Sequence, residues 1–151
     1  MKNKAGDSQG GRIERVEWRP EISLHVAKLD SQHQKLYSIT NRLIDLYEQG
    51  AGDMIDVLAE LVQYAMDHFR DETLIMFESR YPGLDAQKTA HDRFVEKMHE
   101  FLRGYDEGKE QLTNELLNYC RDWLVAHITN EDTKFAAYLV KTGLRDKYWN
   151  R

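Results

Sequence analysis

The sequence has little of what builds a disulfide scaffold, a sheet or a membrane span. Its single cysteine, Cys120, has no partner for an internal disulfide, so a cross-linked extracellular scaffold is excluded. Its two prolines, Pro20 and Pro82, and the lack of any Asn-Gly or Asp-Gly pair between alternating runs remove the usual punctuation of hairpins. No run approaches the roughly 18 apolar residues of a membrane span, and the first twenty residues hold no apolar stretch of the secretory kind, so a cytoplasmic location is expected. Basic residues are also short: 21 Lys and Arg against 26 Asp and Glu leave a net charge of −5, which gives neither nucleic acid nor an anionic membrane a field to bind. What remains is a chain of 151 residues, 41% hydrophobic, long enough for one domain with a real core.

Four long periodic segments account for most of that chain. They are separated by short breaks at Gln49–Gly52, Arg80–Gly83 and Gly104–Gly108. Leu29, His33, Leu36, Thr40, Leu43 and Tyr47 recur at spacings of three and four, which is one face of a helix. The second stripe runs Leu58, Leu61, Ala65, His68, Glu72, Ile75, and the third Gln87, His91, Phe94, Met98, Phe101. The fourth runs Leu112, Leu116, Cys120, Trp123, His127 and then slips by one residue to Asp132, Phe135 and Leu139, an insertion that a π-bulge absorbs. Short breaks make successive helices antiparallel neighbours, so the expected fold is all-α: an up-down-up-down four-helix bundle over residues 18–141. Residues 1–17 read as a flexible N-terminal arm, and 142–151 as a tail or the start of a linker whose aromatics look exposed.

Ligand-type residues sit on the apolar seams of this bundle. His33, His68, Glu72, Gln87, His91, His127 and Asp132 supply at least one from every helix, and burying so many polar groups requires compensation. His68 and Glu72 are i, i+4, about 6 Å apart along one face, and Gln87 and His91 repeat that spacing. His127 and Asp132 are i, i+5, which needs the bulge; Glu131 is the simpler partner by spacing and stands as a rival. Neutral imidazoles and two carboxylates converging inside a bundle suit a transition metal, and the carboxylates can bridge two ions. One histidine on an apolar stripe is usually a hydrogen-bonded core residue, but four on four seams with carboxylates at helical spacing favour a binuclear centre. The ferritin-like route requires two Glu-x-x-His pairs, and only Glu96–His99 is present. Cys120 reads as a small buried hydrophobe, and Met54, Met66, Met76 and Met98 as packing.

These residues fall into ordered motifs: Trp18, then Asp30-Ser31-Gln32-His33, His68-Phe69-Arg70-Asp71-Glu72, Tyr81-Pro82, His91-x-x-Phe94, and Trp123-Leu124-Val125-Ala126-His127-Ile128 followed by Asp132. In that order and spacing the chain resembles the bacterial hemerythrin family from about Trp18 to Leu139. The resemblance implies a non-haem di-iron centre, two iron ions with an oxo or hydroxo bridge, that binds O₂ at the one iron with an open position. Carried over by position, it implies that His33 and His68 hold the O₂-binding iron, His91 and His127 hold the other, and Glu72 and Asp132 bridge. The family's aspartate at i+5 decides for Asp132 over Glu131. A dry pocket of Phe69, Phe94, Trp123, Leu124 and Ile128, with Tyr37, is expected around the first iron.

The chain departs from the family at one ligand. The third-helix motif is H-x-x-x-H, and here it reads Gln87-Lys88-Thr89-Ala90-His91. His99, about 12 Å of helix from His91, and His25, which precedes the first ligand helix where the family often has glycine, are expected to be surface or supporting groups. Gln87 is expected to coordinate weakly, hold a water or turn away, which loosens the second iron because an amide is a weaker donor than an imidazole. Two functions follow. One is O₂ binding, as a carrier or as an O₂- or redox-sensing domain linked to a signalling output or to further copies of the chain. The other is a di-iron enzyme, an oxidase, peroxidase or nitric-oxide consumer, that uses a second open site created by Gln87.

Overall fold

The computed structural model describes residues 12–50, 52 and 54–149, and all regular structure among them is helical. Helix α1 spans Ala27–Gln49, α2 Met54–Glu78, α3 Leu84–Asp106 and α4 Asn114–Ala126. A π-helical segment, His127–Asp132, continues α4 into α5, Thr133–Lys141, and a short α6, Arg145–Tyr148, follows. The one-residue slip in the fourth stripe is therefore the π segment, and α4, that segment and α5 together form the fourth helix of a four-helix bundle. α1 stops at Gly50, whose left-handed φ of 69° is cheap for glycine and lets its N–H reach the carbonyls of Leu46 and Tyr47. α4 starts on Thr113, whose hydroxyl accepts from the Leu116 N–H at 3.1 Å.

The core divides into two apolar ends with a polar layer between them. The larger end holds Leu36, Leu43, Leu58, Leu61, Phe94, Met98, Leu117 and Cys120. The other holds Leu24, Leu29, Ile75, Met76, Phe135, Leu139 and Tyr148. Along every bundle helix the ligand-type residues lie at the change from one end to the other. Burial pushes the Cys120 thiol up to about 12, in keeping with an inert core residue.

Both chain ends differ from expectation. Residues 1–11 of the expected flexible arm lie outside the described residues, but residues 12–17 are laid along α1. Ile13 and Val16 are buried, the Val16 N–H donates to Asn41 Oδ1 at 2.8 Å, and Asn41 Nδ2 donates back to the Val16 carbonyl at 2.9 Å. Two apolar residues three apart in a polar stretch are the cause. Within the tail, Tyr148 is fully buried, and the Trp149 carbonyl accepts from the Ala27 N–H at 3.2 Å at the start of α1. Of the tail's two aromatics, only Trp149 keeps substantial exposure, at 47%; Asn150 and Arg151 lie outside the described residues.

Candidate metal centre

The polar layer brings together the six residues that the family resemblance implies as ligands. His33 from α1, His68 and Glu72 from α2, His91 from α3, and His127 and Asp132 from the two ends of the π segment are all buried. Their donor atoms form two overlapping groups, each within 4.8 Å: His33, His68, Glu72 and Asp132 in one, Glu72, His91, His127 and Asp132 in the other. The extra residue of the π segment lets His127 and Asp132 face inward together. It turns Glu131 out to solvent beside Lys134.

The histidines are paired. His33 Nε2 and His68 Nε2 lie 3.0 Å apart, and His91 Nε2 and His127 Nε2 lie 2.9 Å apart. Each carboxylate faces both pairs. Glu72 Oε2 is 3.3 Å from His68 Nε2 and 3.5 Å from His33 Nε2, while its Oε1 is 3.3 Å from His91 Nε2. Asp132 Oδ2 is 3.1 Å from His33 Nε2, and its Oδ1 is 3.5 Å from His127 Nε2.

This donor set fits a pair of metal ions on three counts. Two nitrogen donors about 2.1 Å from a common ion and at right angles to each other lie about 3.0 Å apart, which is the spacing of both histidine pairs. Both Glu72 oxygens and Asp132 Oδ2 are buried without a well-formed hydrogen bond, a costly state unless a cation takes them up. Finally, His68 Nδ1 donates to Gln32 Oε1 at 2.7 Å, which leaves Nε2 as a lone pair aimed at the site, and Gln32 Nε2 donates in turn to Asp71 Oδ2 at 2.8 Å. Gln32 was not visible as a partner from periodicity, because it lies about 100° around α1 from His33. The D-x-Q-H motif that contains it is the only sequence signal.

The protons distribute as crowded charges require. Burial disfavours a charge on His33, but Asp132 and Glu72 outweigh it and raise its pKa to about 9. Burial also opposes ionisation of Glu72, yet His68, His33 and His91 hold its carboxyl well below the usual range. Asp132 is pushed well above its usual range by burial and by the Glu72 charge. Burial, with His91 alongside, lowers His127 to about 3. Without metal the site thus favours the ionised form at Glu72 and opposes it at Asp132; two cations would favour ionisation of both.

Gln87 is buried at the edge of this site. Its Nε2 donates to Asp132 Oδ1 at 3.2 Å, on the side of His91 and His127, and its Oε1 has no partner. Two of the aromatic residues expected around the first iron lie against the second histidine pair. Phe69 lies flat on His91, with ring centres 3.9 Å apart, and Trp123 lies flat on His127 at 4.6 Å, so these rings back the second histidine pair. Trp123 precedes His127 by one helical turn, and Phe69 is rotated about 100° from His68 toward α3. Phe94 stacks on Trp123, and Leu124 and Ile128 are buried, Ile128 against Tyr37 and Val16. His99 is exposed. His25 stacks on Trp149 with a left-handed φ of 58°, which explains a preference for glycine at that position.

Residues 24–139 match the family model described as the hemerythrin HHE cation binding domain. The chain belongs to the hemerythrin family. A bacteriohemerythrin of Clostridium acetobutylicum is 28% identical over 124 residues, covering 78% of this chain and 96% of that protein. A myohemerythrin of Sipunculus nudus is 38% identical over 122 residues, covering 81% and 92%. A crystal structure of wild-type hemerythrin matches with a TM-score of 0.75 at 25% identity, over 82% of this chain and 97% of that one. Hemerythrins carry a di-iron centre with an oxo bridge, and the clustered donors of this hemerythrin domain are of the kind such a centre needs. No helix among the described residues is long and apolar enough to cross a membrane.

Proposed function

We propose that this hemerythrin-family chain binds O₂ at a di-iron centre in the bundle core, as a carrier or as the O₂- or redox-sensing domain of a signalling protein. His33 and His68 would hold the O₂-binding iron, His91 and His127 the other, and Glu72 and Asp132 would be shared. The observation that carries the proposal is that each buried carboxylate turns one oxygen toward each histidine pair. When bound, the iron pair supplies the electrons on which reversible O₂ binding draws. The chain's own residues position and dry the site. Gln32 fixes the tautomer of His68, Phe69 and Trp123 cover His91 and His127, and Phe94, Leu124 and Ile128 complete an apolar surround.

One observation favours a second reading as a peroxide- or nitric-oxide-consuming enzyme. Gln87 offers the second pair an amide in place of an imidazole, and its Oε1 is unpartnered. A single experiment separates the two. After anaerobic loading with two equivalents of Fe(II), a carrier exposed to O₂ develops a visible charge-transfer band that disappears under argon. Immediate irreversible conversion to a diferric spectrum, with steady consumption of added reductant, supports the enzyme instead.

A further inference from the structure

Four aromatic rings make a column from the centre of the bundle to its surface. Trp123 stacks on His127 with 4.6 Å between ring centres and 7° between planes. Phe94 stacks on Trp123 at 4.2 Å and 17°, and Tyr119 on Phe94 at 6.1 Å and 25°. Tyr119, Trp123 and His127 lie at i, i+4 and i+8 along the fourth helix, and Phe94 of α3 contacts both aromatic side chains of that series. Edge-to-face contacts pack aromatic rings equally well, and Phe69 meets both Phe94 and Trp123 in that way, at 80° and 69°. The column alone keeps its planes aligned from a histidine of the polar layer outward. Its outer ring is half-buried on a groove of about 530 Å³ between α3 and α4, with the Lys97 ammonium 4.6 Å above the ring and Glu100, Glu110 and Glu115 on the groove wall.

We propose that this column carries oxidising equivalents, one at a time, from the metal centre through Trp123 to Tyr119, where a small aromatic reductant quenches them. The inference rests on the di-iron reading above. Tryptophan and tyrosine are the side chains that give up an electron most readily, and Phe94 supplies the π contact between them. With hydrogen peroxide as the oxidant the electrons balance. One H₂O₂ takes up two electrons and two protons to form two waters, and each passage oxidises one Tyr119 phenol to its neutral radical, releasing an electron inward and a proton to the groove. Two molecules of a phenol or aromatic amine each return a hydrogen atom to Tyr119. Three carboxylates against one lysine favour a neutral or cationic donor over an anionic one. Lys97 above the ring disfavours a cationic radical there, so the phenolic proton leaves with the electron.

The test is freeze-quench electron paramagnetic resonance on the iron-loaded full chain mixed with H₂O₂, alongside iron content and the visible spectrum. The wild type is expected to give a tyrosyl signal that narrows with ring-deuterated tyrosine. Tyr119→Phe should reduce that signal at least tenfold, Trp123→Phe should weaken it, and Tyr105→Phe, at a tyrosine outside the column, should leave it intact. Peptide mapping should place peroxide-induced oxidation at Tyr119. A full-strength signal in Tyr119→Phe, or a wild type that keeps its iron and consumes peroxide with no radical, overturns the column and leaves the iron site standing. A chain that binds no iron overturns both.

Discussion

Glu72→Gln keeps the shape of the side chain and removes the charge that both histidine pairs face. In the metal-free protein the consequence is modest. Asp132, whose ionisation is opposed by burial and by the Glu72 charge, ionises more readily once that charge is gone, and it remains 3.1 Å from His33. The loss should be about 1–2 kcal/mol, less than the roughly 3–5 kcal/mol of breaking an isolated buried ion pair. At about 2–4 °C per kcal/mol for a chain of this size, Tm falls by about 2–8 °C. With iron the difference widens. Free iron at about a thousand times Kd adds about 4 kcal/mol to the wild type, or about 8–16 °C. The variant keeps one neutral amide oxygen but loses the second oxygen and the charge that two ions would share, and should gain less than about 1 kcal/mol. Thermal unfolding followed by circular dichroism, with and without anaerobic Fe(II), gives all four values, and iron analysis accompanies them. A Glu72→Gln protein that holds two irons and shows the full iron-dependent rise would refute the bridging role.

Four further predictions come from the structure. Gln87→His should retain the second iron about tenfold better or more and slow autoxidation of the O₂-exposed protein; an unchanged rate would mean that Gln87 does not act at the metal. Iron loading at neutral pH should release the proton of His33, raised to about 9, so apparent affinity rises with pH and the release is measurable in a pH-stat. In the metal-free chain the raised His33 contributes stability that is full below about pH 6.5 and lost as pH rises through about 9. His127, lowered to about 3, subtracts stability as pH falls below about 6.5, and a metal-free Tm that is flat across both windows would contradict these assignments. Thr113→Ala removes the cap of α4 and should cost about 1 kcal/mol, or about 2–4 °C in Tm, with iron content unchanged.

The features legible in the sequence were those carried by periodicity. Stripes at three and four residues place His33, His68, His91 and Glu72 on inward faces, and the single slip after His127 marks the π segment that seats Asp132. Spacing alone could not choose Asp132 over Glu131, because a regular helix favours i+4; the bulge reverses that choice, and the family resemblance already pointed to it. Contacts between rings and ends of the chain were not legible. The rotation of Phe69 and Trp123 onto His91 and His127 depends on how neighbouring helices are set, which no single stripe encodes. The docking of residues 12–17 depends on Asn41 pairing with the Val16 backbone, a side-chain contact across 25 residues. The burial of Tyr148 depends on a closing helix of only four residues, too short for a periodic signal. Gln32 was missed because a partner of a ligand points away from the ligand stripe.

Two adjacent irons that share Glu72 and Asp132 would be magnetically coupled. Mössbauer spectroscopy of the chain loaded with ⁵⁷Fe and oxidised, together with electron paramagnetic resonance of the same sample, detects that coupling. Two irons per chain, coupled so that the diferric form is silent in electron paramagnetic resonance, is the predicted result. One iron per chain, or two that give the uncoupled signal of isolated high-spin ferric ions, would contradict it.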